Sequence, residues 1–429
     1  MAKAKMNDAL NKVSEFINFL NTSDETSDRE DYGLFFSLTD EGTILLNVDD
    51  TEKYRKTLRL LIDSVGNEMI SQKAIESLFQ ETILTVIDIQ EKRKNQLFSQ
   101  RLENALSELR KSLTTSPSAF NVYHPVHGLA LDGLPIQIGN VQFCIFDEVH
   151  LALFVNLLNG PDSNKDTKRI NTSFAETIKE AEINGKTVGL ISVNAIDVEA
   201  AKTLALKELS LTLDVLNFFS DLIPYQKGYI YLPGHREKLK INILTLSKNT
   251  KTKSSFGWSS VGPLQLFSFN HLLENNKKRN LGFTRVSDLL IKKQNRLEEK
   301  LISALQWAGK ATIESRREEA FLLYAISLES LVLLENEKEE LTFRLRTRVA
   351  HLLGKDIEDR KRITNEIRDL YGIRSKIVHS GSYQVTDADL SLIRFYSKNC
   401  ILRILNDEPF KSMNSIEALV EWFNEKMLS

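Results

Sequence analysis

The stretch Leu370-Tyr371-Gly372-Ile373-Arg374-Ser375-Lys376-Ile377-Val378-His379-Ser380-Gly381 decides how the second half of this chain is read. Ile363, Ile367, Leu370, Ile373 and Ile377 lead into it and through it at three- and four-residue spacing, the signature of one apolar stripe on an α-helix. Arg374, Ser375 and His379 stand beside that stripe. Ser375 and His379 are four apart and share a face. Arg374 and His379 are five apart, about 140° around a helix axis. One helix does not easily aim both at a single point, whereas two copies facing each other across a two-fold axis can. The spacing therefore anticipates a homodimer in which each copy contributes to the site.

An arginine, a hydroxyl and a histidine can cleave RNA without metal, because the 2′-hydroxyl is a built-in nucleophile. The histidine removes its proton or protonates the leaving 5′-oxygen. The arginine holds the phosphate and stabilises the charge added in the transition state. Ser375 can orient either partner, and His379 falls at a helix C-terminus, whose dipole favours the protonated imidazole. Two further residues support this set. Glu329 lies among Ala325, Ile326, Leu328, Leu331 and Val332, and is expected to pair with a bundle arginine or to orient the site from behind. Tyr371, three before Arg374, is expected to pack in the core, with base stacking as the other use of its ring. Between Leu341 and His379 ten basic residues stand against five acidic ones. That local excess suits an RNA backbone, with Lys376, Arg368 and Arg348 as the candidate phosphate contacts. No carboxylate cluster at metal spacing accompanies the motif, and no cofactor is implied.

Working outward, Gly381 suits the left-handed position that ends the motif helix. Thr386-Asp387-Ala388-Asp389 is a capping box with Asp in place of Glu, so a new helix starts there. Further helical periods cover 289–308, 312–334, 341–353 and 415–428. Residues 266–429 are thus expected to form a C-terminal antiparallel helical bundle, with a polar break at Asn275–Asn280. Residues 116–265 read as a central α+β domain, a candidate sensor or regulatory region. Its strands fall at 120–123, 129–131, 136–138, 141–146, 187–193, 229–232 and 240–246. Its helices fall at 148–158 and from an Asp197 cap to 222, and Lys248–Ser260 reads as a polar loop. Residues 1–115 read as a mainly helical region with a β-hairpin: a helix over 6–20, strands at 32–38 and 43–48, and one long helix or two in series over 71–113. The fold class is α+β, multidomain and mostly helical.

Composition narrows the function classes. A formal net charge of −2 over 429 residues announces no global nucleic-acid binder. No membrane-length apolar run and no leader-like N-terminus stand out, so a cytoplasmic protein without membrane contact is expected. The two cysteines, Cys144 and Cys400, lie far apart without a neighbouring Cys or His, which excludes a disulfide framework and a cysteine zinc cluster. Both read as small buried residues. His124 and His127 flank Pro125, which breaks a helix, and on a strand they point to opposite faces, so they are not a metal pair. Gly228–Gly234 lacks the spacing and the lysine of a phosphate loop.

Three separated blocks add a resemblance. They are Ala325-Ile-Ser-Leu-Glu-Ser-Leu331, Arg344-Leu-Arg-Thr-Arg-Val-Ala-His-Leu-Leu353, and Leu370 to Gly381 with its Arg374-Ser-Lys-Ile-Val-His379 core. Together, over about 289–405, they resemble the HEPN superfamily, and within it the Apea-like branch. The resemblance implies a compact helical domain that dimerises, with Arg374 and His379 of both copies lining one cleft. It implies endoribonuclease action leaving a 2′,3′-cyclic phosphate and a 5′-hydroxyl. It further implies a toxin-like effector in bacterial anti-phage defence by abortive infection, acting on RNA such as tRNA and answering a phage-derived or protein trigger. The alternative is a non-catalytic module that binds RNA or nucleotide, or that only dimerises.

Overall fold

The computed structural model describes residues 2–22, 32–38, 42–87, 95–131, 133–150, 152, 185–223, 229–232, 241–246, 256–261, 266–334, 337, 340–380 and 384–428. The chain is mostly helical with a small antiparallel sheet. No described helix is long and apolar enough to cross a membrane. Two compact units emerge, 1–122 with 192–206, and 123–191 with 207–429. The chain passes between them within two strands and one helix.

In the first unit, helix α1 (Ala2–Thr22) is followed by a hairpin of β1 (Tyr32–Leu38) and β2 (Gly42–Asn47), then α2 (Val48–Val65), α3 (Gln72–Val86) and α4 (Asn95–Leu113). The stripe Leu10, Val13, Phe16, Ile17 and Leu20 on α1 is buried, as its helical period requires. Phe16, Tyr54 and Phe79 form the centre of this core, with Tyr54 stacked on Phe79 at 5.1 Å between ring centroids. The stretch 71–113 is two helices. Ser71 caps α3 by accepting a hydrogen bond from the Ala74 amide at 3.0 Å.

Strands β3 (Ser118–Pro125) and β7 (Thr187–Ala195) each contribute to both units. In the second unit, β4 (Leu129–Ala130), β5 (Ile136–Ile138) and β6 (Val141–Ile145) follow β3, and the four-stranded sheet has the order β3-β7-β6-β5. Strands β8 (Ile241–Leu246) and β9 (Phe256–Val261) pair antiparallel with Leu244 opposite Trp258. That pairing corrects the expected polar loop over 248–260. The lysines and serines of that stretch hide an alternation, Phe256, Trp258, Ser260, that only its partner strand reveals. Most of the expected helix over 148–158 lies outside the described residues, with 148–150 helical, and so do Gly228, Pro233 and Gly234.

Helix α5 (Val198–Ser220) starts at the expected cap, where Asp197 accepts from the amides of Glu199 and Ala200 at 3.0 Å each. Its last turns, Thr212 through Ser220, are buried on every side, as in a helix surrounded by protein. They are enclosed by the helices that follow. β10 (Phe267–Ser268) leads into α6 (Phe269–Arg279), α7 (Phe283–Leu289), α8 (Arg296–Ile313), α9 (Arg317–Val332), α10 (Leu341–Leu353), α11 (Ile357–Ser380), α12 (Asp387–Asn406), a 3-10 turn (Phe410–Ser412) and α13 (Ile416–Leu428). Phe219 of α5 packs edge-on against Phe283 at 5.2 Å. Gly309 of α8 lies so close that a Cβ there would sit 1.8 Å from the Asp214 carbonyl oxygen. Asp221 receives both Arg394 and Lys398 from α12. β10 pairs in parallel with β4, Phe267 opposite Leu129. The expected border at 265/266 therefore runs through a continuous core, and 116–265 is not a unit of its own.

Two details of the bundle differ from expectation. The polar stretch Asn275–Asn280 does not break the chain: α6 runs through it and stops at Asn280, whose φ of 49° is left-handed. The packing is also not uniformly antiparallel. α8 and α9 are antiparallel, with the Ser327 hydroxyl donating to the Ala304 carbonyl at 2.8 Å and Lys300 reaching the Leu333 carbonyl at 2.7 Å. α9 and α12 run parallel, because Arg317 meets Asp387 at 3.0 Å and Ser327 meets Ser397 at 2.9 Å, the same offset at both ends. Helices α10 and α11 make the excursion that lets α12 return in this direction.

Candidate functional site

The motif occupies the last turns of α11, whose apolar stripe Ile363, Ile367, Leu370 and Ile373 is buried. α11 lies against α9 through Tyr371 and Arg374. The Tyr371 hydroxyl donates to Glu329 Oε1 at 3.0 Å, and Arg374 Nε lies 3.4 Å from the same oxygen. Three residues singled out in the sequence thus meet at one carboxylate oxygen. Glu329 is the partner of an arginine, as anticipated, and Tyr371 packs inward with its hydroxyl on that carboxylate. Burial, and then the Glu329 charge, push the Tyr371 phenol well above its ordinary value, so it remains a donor. Arg374 is 34% exposed. Its Nε is engaged, which leaves the terminal nitrogens of the guanidinium fork for a ligand.

Ser375 and His379 are on the exposed side of α11. Neither makes a hydrogen bond or ion pair among the described residues. The one-helix geometry holds: Arg374 leans toward α9 while His379 faces outward. Gly372 is exposed as well, and a Cβ there would meet nothing within 4 Å. The face of α11 carrying Gly372, Ser375 and His379 is therefore open. Gly381, expected to end the helix, lies outside the described residues. Two clefts on the bundle, of about 350 and 690 Å³, are lined from Ile357–Asn365 and from the α10–α11 turn with Tyr396. Neither takes in Arg374, Ser375 or His379, so the motif sits on a surface and not in either of these cavities.

The basic residues need correction. Arg348 is not a phosphate contact. It is 2% exposed and holds Glu337 with two hydrogen bonds of 2.7 and 2.6 Å and the Val332 carbonyl at 2.7 Å. Alternating positions on α10 look alike in sequence, and only the packing shows which arginine turns inward. Burial alone would raise the Glu337 carboxyl. Hydrogen bonds from Arg348 and the Leu334 amide, and the charges of Arg348 and Arg344, outweigh it and hold the carboxyl below the usual range. Arg344 pairs with the same Glu337, Lys361 with Glu358, Arg362 with Asp359 and Glu366, and Arg368 with Asp369. Much of the local positive excess is neutralised in these pairs. Lys376 is exposed beside the motif.

Sequence reasoning missed one cluster. Cys144 does have a histidine nearby: its Sγ lies 3.8 Å from His150 Nε2, and His150 Nδ1 lies 2.7 Å from Asp147 Oδ1. The spacing Cys-x-x-Asp-x-x-His was the available signal. Cys400, in contrast, is fully buried. His127 stacks on Tyr231 at 5.7 Å, and His124 Nδ1 lies 2.9 Å from the Pro125 carbonyl. Among the described residues no group of three His, Cys, Asp or Glu side chains is arranged to hold a metal ion.

No family model, no curated protein and no solved structure matches this chain.

Proposed function

We propose that the chain is a metal-independent endoribonuclease of the HEPN type, acting as a homodimer through its C-terminal helical domain. The observation that supports this reading best is the division of labour on α11. Arg374 is held through Glu329 and Tyr371, while His379 and Ser375 remain open on a face with no covering side chain at Gly372. A pre-set cation and a free imidazole are what in-line attack by a 2′-hydroxyl needs. In this reading Arg374 stabilises the pentavalent phosphorus, His379 transfers the proton, and Ser375 orients one of them. Glu329 and Tyr371 position Arg374, and Lys376 and Arg368 steer the backbone. The biological setting that goes with it is a toxic effector of anti-phage defence, restrained by its other regions until a phage-derived or protein trigger arrives.

The test is cleavage of total RNA and of tRNA by the purified protein in the presence of a chelator. Cleavage leaving 2′,3′-cyclic phosphate and 5′-hydroxyl ends is expected. Arg374→Ala and His379→Ala should each lower the rate about 100-fold or more. Equal cleavage by wild type and His379→Ala would sink the assignment. The pairing of most nearby basic residues with carboxylates favours a second reading, a module that binds without cutting. Unchanged RNA ends together with saturable binding would select it.

A further inference from the structure

We propose that Cys144 is a peroxide-reactive thiol, activated by His150 as general base with Asp147 holding the imidazole. The three side chains form a line, not a ring: sulfur to Nε2 at 3.8 Å, then Nδ1 to Oδ1 at 2.7 Å. His150 Nδ1 also lies 3.5 Å from the Asp147 amide. The relay requires the tautomer in which Nδ1–H is donated to the Asp147 carboxylate, so that the Nε2 lone pair faces the sulfur as in an activated nucleophile. Strand pairing and local hydrogen bonds place the three residues. β6 places Cys144 opposite Val188 of β7, which fixes the sulfur on the sheet. Asp147 accepts from the amides of Val149 and His150 at 3.1 Å each, so its carboxylate is anchored at the start of the next turn. Phe146 stacks on the His150 ring at 5.6 Å and Tyr123 meets it edge-on at 6.1 Å. These two rings flank the imidazole.

Burial, and then the Asp147 charge, push the Cys144 thiol up, so the sulfur rests protonated and needs a base to react. The residue is 3% exposed, so a peptide or acyl substrate is excluded and the proposed reactant is as small as hydrogen peroxide. The step balances as Cys–SH + H2O2 → Cys–SOH + H2O. Sulfur attacks one peroxide oxygen, a sulfur–oxygen bond forms and the oxygen–oxygen bond breaks. His150 takes the thiol proton and returns it to the departing hydroxide. Sulfur loses two electrons and the peroxide gains them. Conversion to the sulfenic acid adds a polar oxygen to the small apolar cluster of Cys144, Phe146 and Val188, against which Tyr123 packs.

Cys400 is a reference within the same chain: it is fully buried and burial alone raises its thiol, so the His150 variant, and not the contrast between the two cysteines, carries the test. The native protein is treated with hydrogen peroxide and trapped with dimedone, and each cysteine is read by peptide mass. The expected result is an adduct at Cys144 and none at Cys400, with His150→Gln slowing the reaction at least tenfold while far-ultraviolet circular dichroism stays unchanged. Asp147→Asn should slow it less. No labelling of Cys144 in the native protein while urea-unfolded protein labels, or an undiminished rate in His150→Gln, each overturns the proposal.

Discussion

Asp214 on α5 is a carboxylate with little to support its charge. Its side chain is 8% exposed, and Lys310 Nζ is 3.9 Å from its Oδ2, too far for a hydrogen bond. Burial pushes the carboxyl up to about 7, against the opposing Lys310 charge and the Gln306 hydrogen bond. The folded protein thus keeps this proton to near neutrality, while an unfolded chain gives it up at the ordinary carboxylate value. The associated stability is complete below that ordinary value and is lost as pH rises through about 7, a difference worth up to about 4 kcal/mol. Asp214→Asn should therefore be more stable than wild type in urea at pH 8, with the gap closing toward pH 5. A gap that does not change with pH would refute this. Nothing in the sequence marks Asp214, because its protonation follows from the helix that Gly309 lets approach. Glu329 differs, since a lone acid in the apolar run Ala325–Val332 already demanded a partner, and Arg374 is that partner.

Elements were legible where the chain carries its own punctuation. α10 begins and ends at the residues its pattern indicates, and α12 begins behind a full capping box, with Thr386 Oγ1 accepting from the Asp389 amide at 3.1 Å and Asp389 accepting from the Thr386 amide at 3.1 Å. Thr386→Ala removes one half of that exchange and should cost about 1 kcal/mol, read as a lower urea midpoint with an unchanged slope. An unaltered midpoint would mean that other contacts at Asp387, such as its pair with Arg317, set the start of α12. Pairing is less legible than existence. β9 needs β8 to be recognised, and the parallel return of α12 along α9 depends on contacts seventy residues apart. No local pattern encodes such a distance. The motif itself was legible as a helix with a polar flank. Which of its cations face solvent was not, and Arg348 shows the limit.

At the scale of the molecule, the helical second half cannot be cut free at the place where its composition changes. A fragment spanning 266–429 would lack the β4 partner of β10 and the buried turns of α5 that meet Phe283, Gly309 and Lys398. It should exchange its amide hydrogens rapidly and show no cooperative melting, whereas the full chain should melt cooperatively. A fragment that melts sharply would show that these contacts are dispensable. The RNA-cleavage assay belongs with the full chain for the same reason.

The two-segment composition of the first unit also sets an order of events on the ribosome. Residues 192–206 belong with residues 1–122, yet 123–191 must be synthesised between them. Domains of multidomain chains usually fold as they emerge, the N-terminal one first. Here the first unit receives its last segment only once Leu206 has left the exit tunnel, and the same helix carries Lys207, where the second unit resumes. The apolar core of the first unit is drawn from residues 6–113, with Ile196 the late arrival packed against it, so that core has all its large side chains long before its last segment docks.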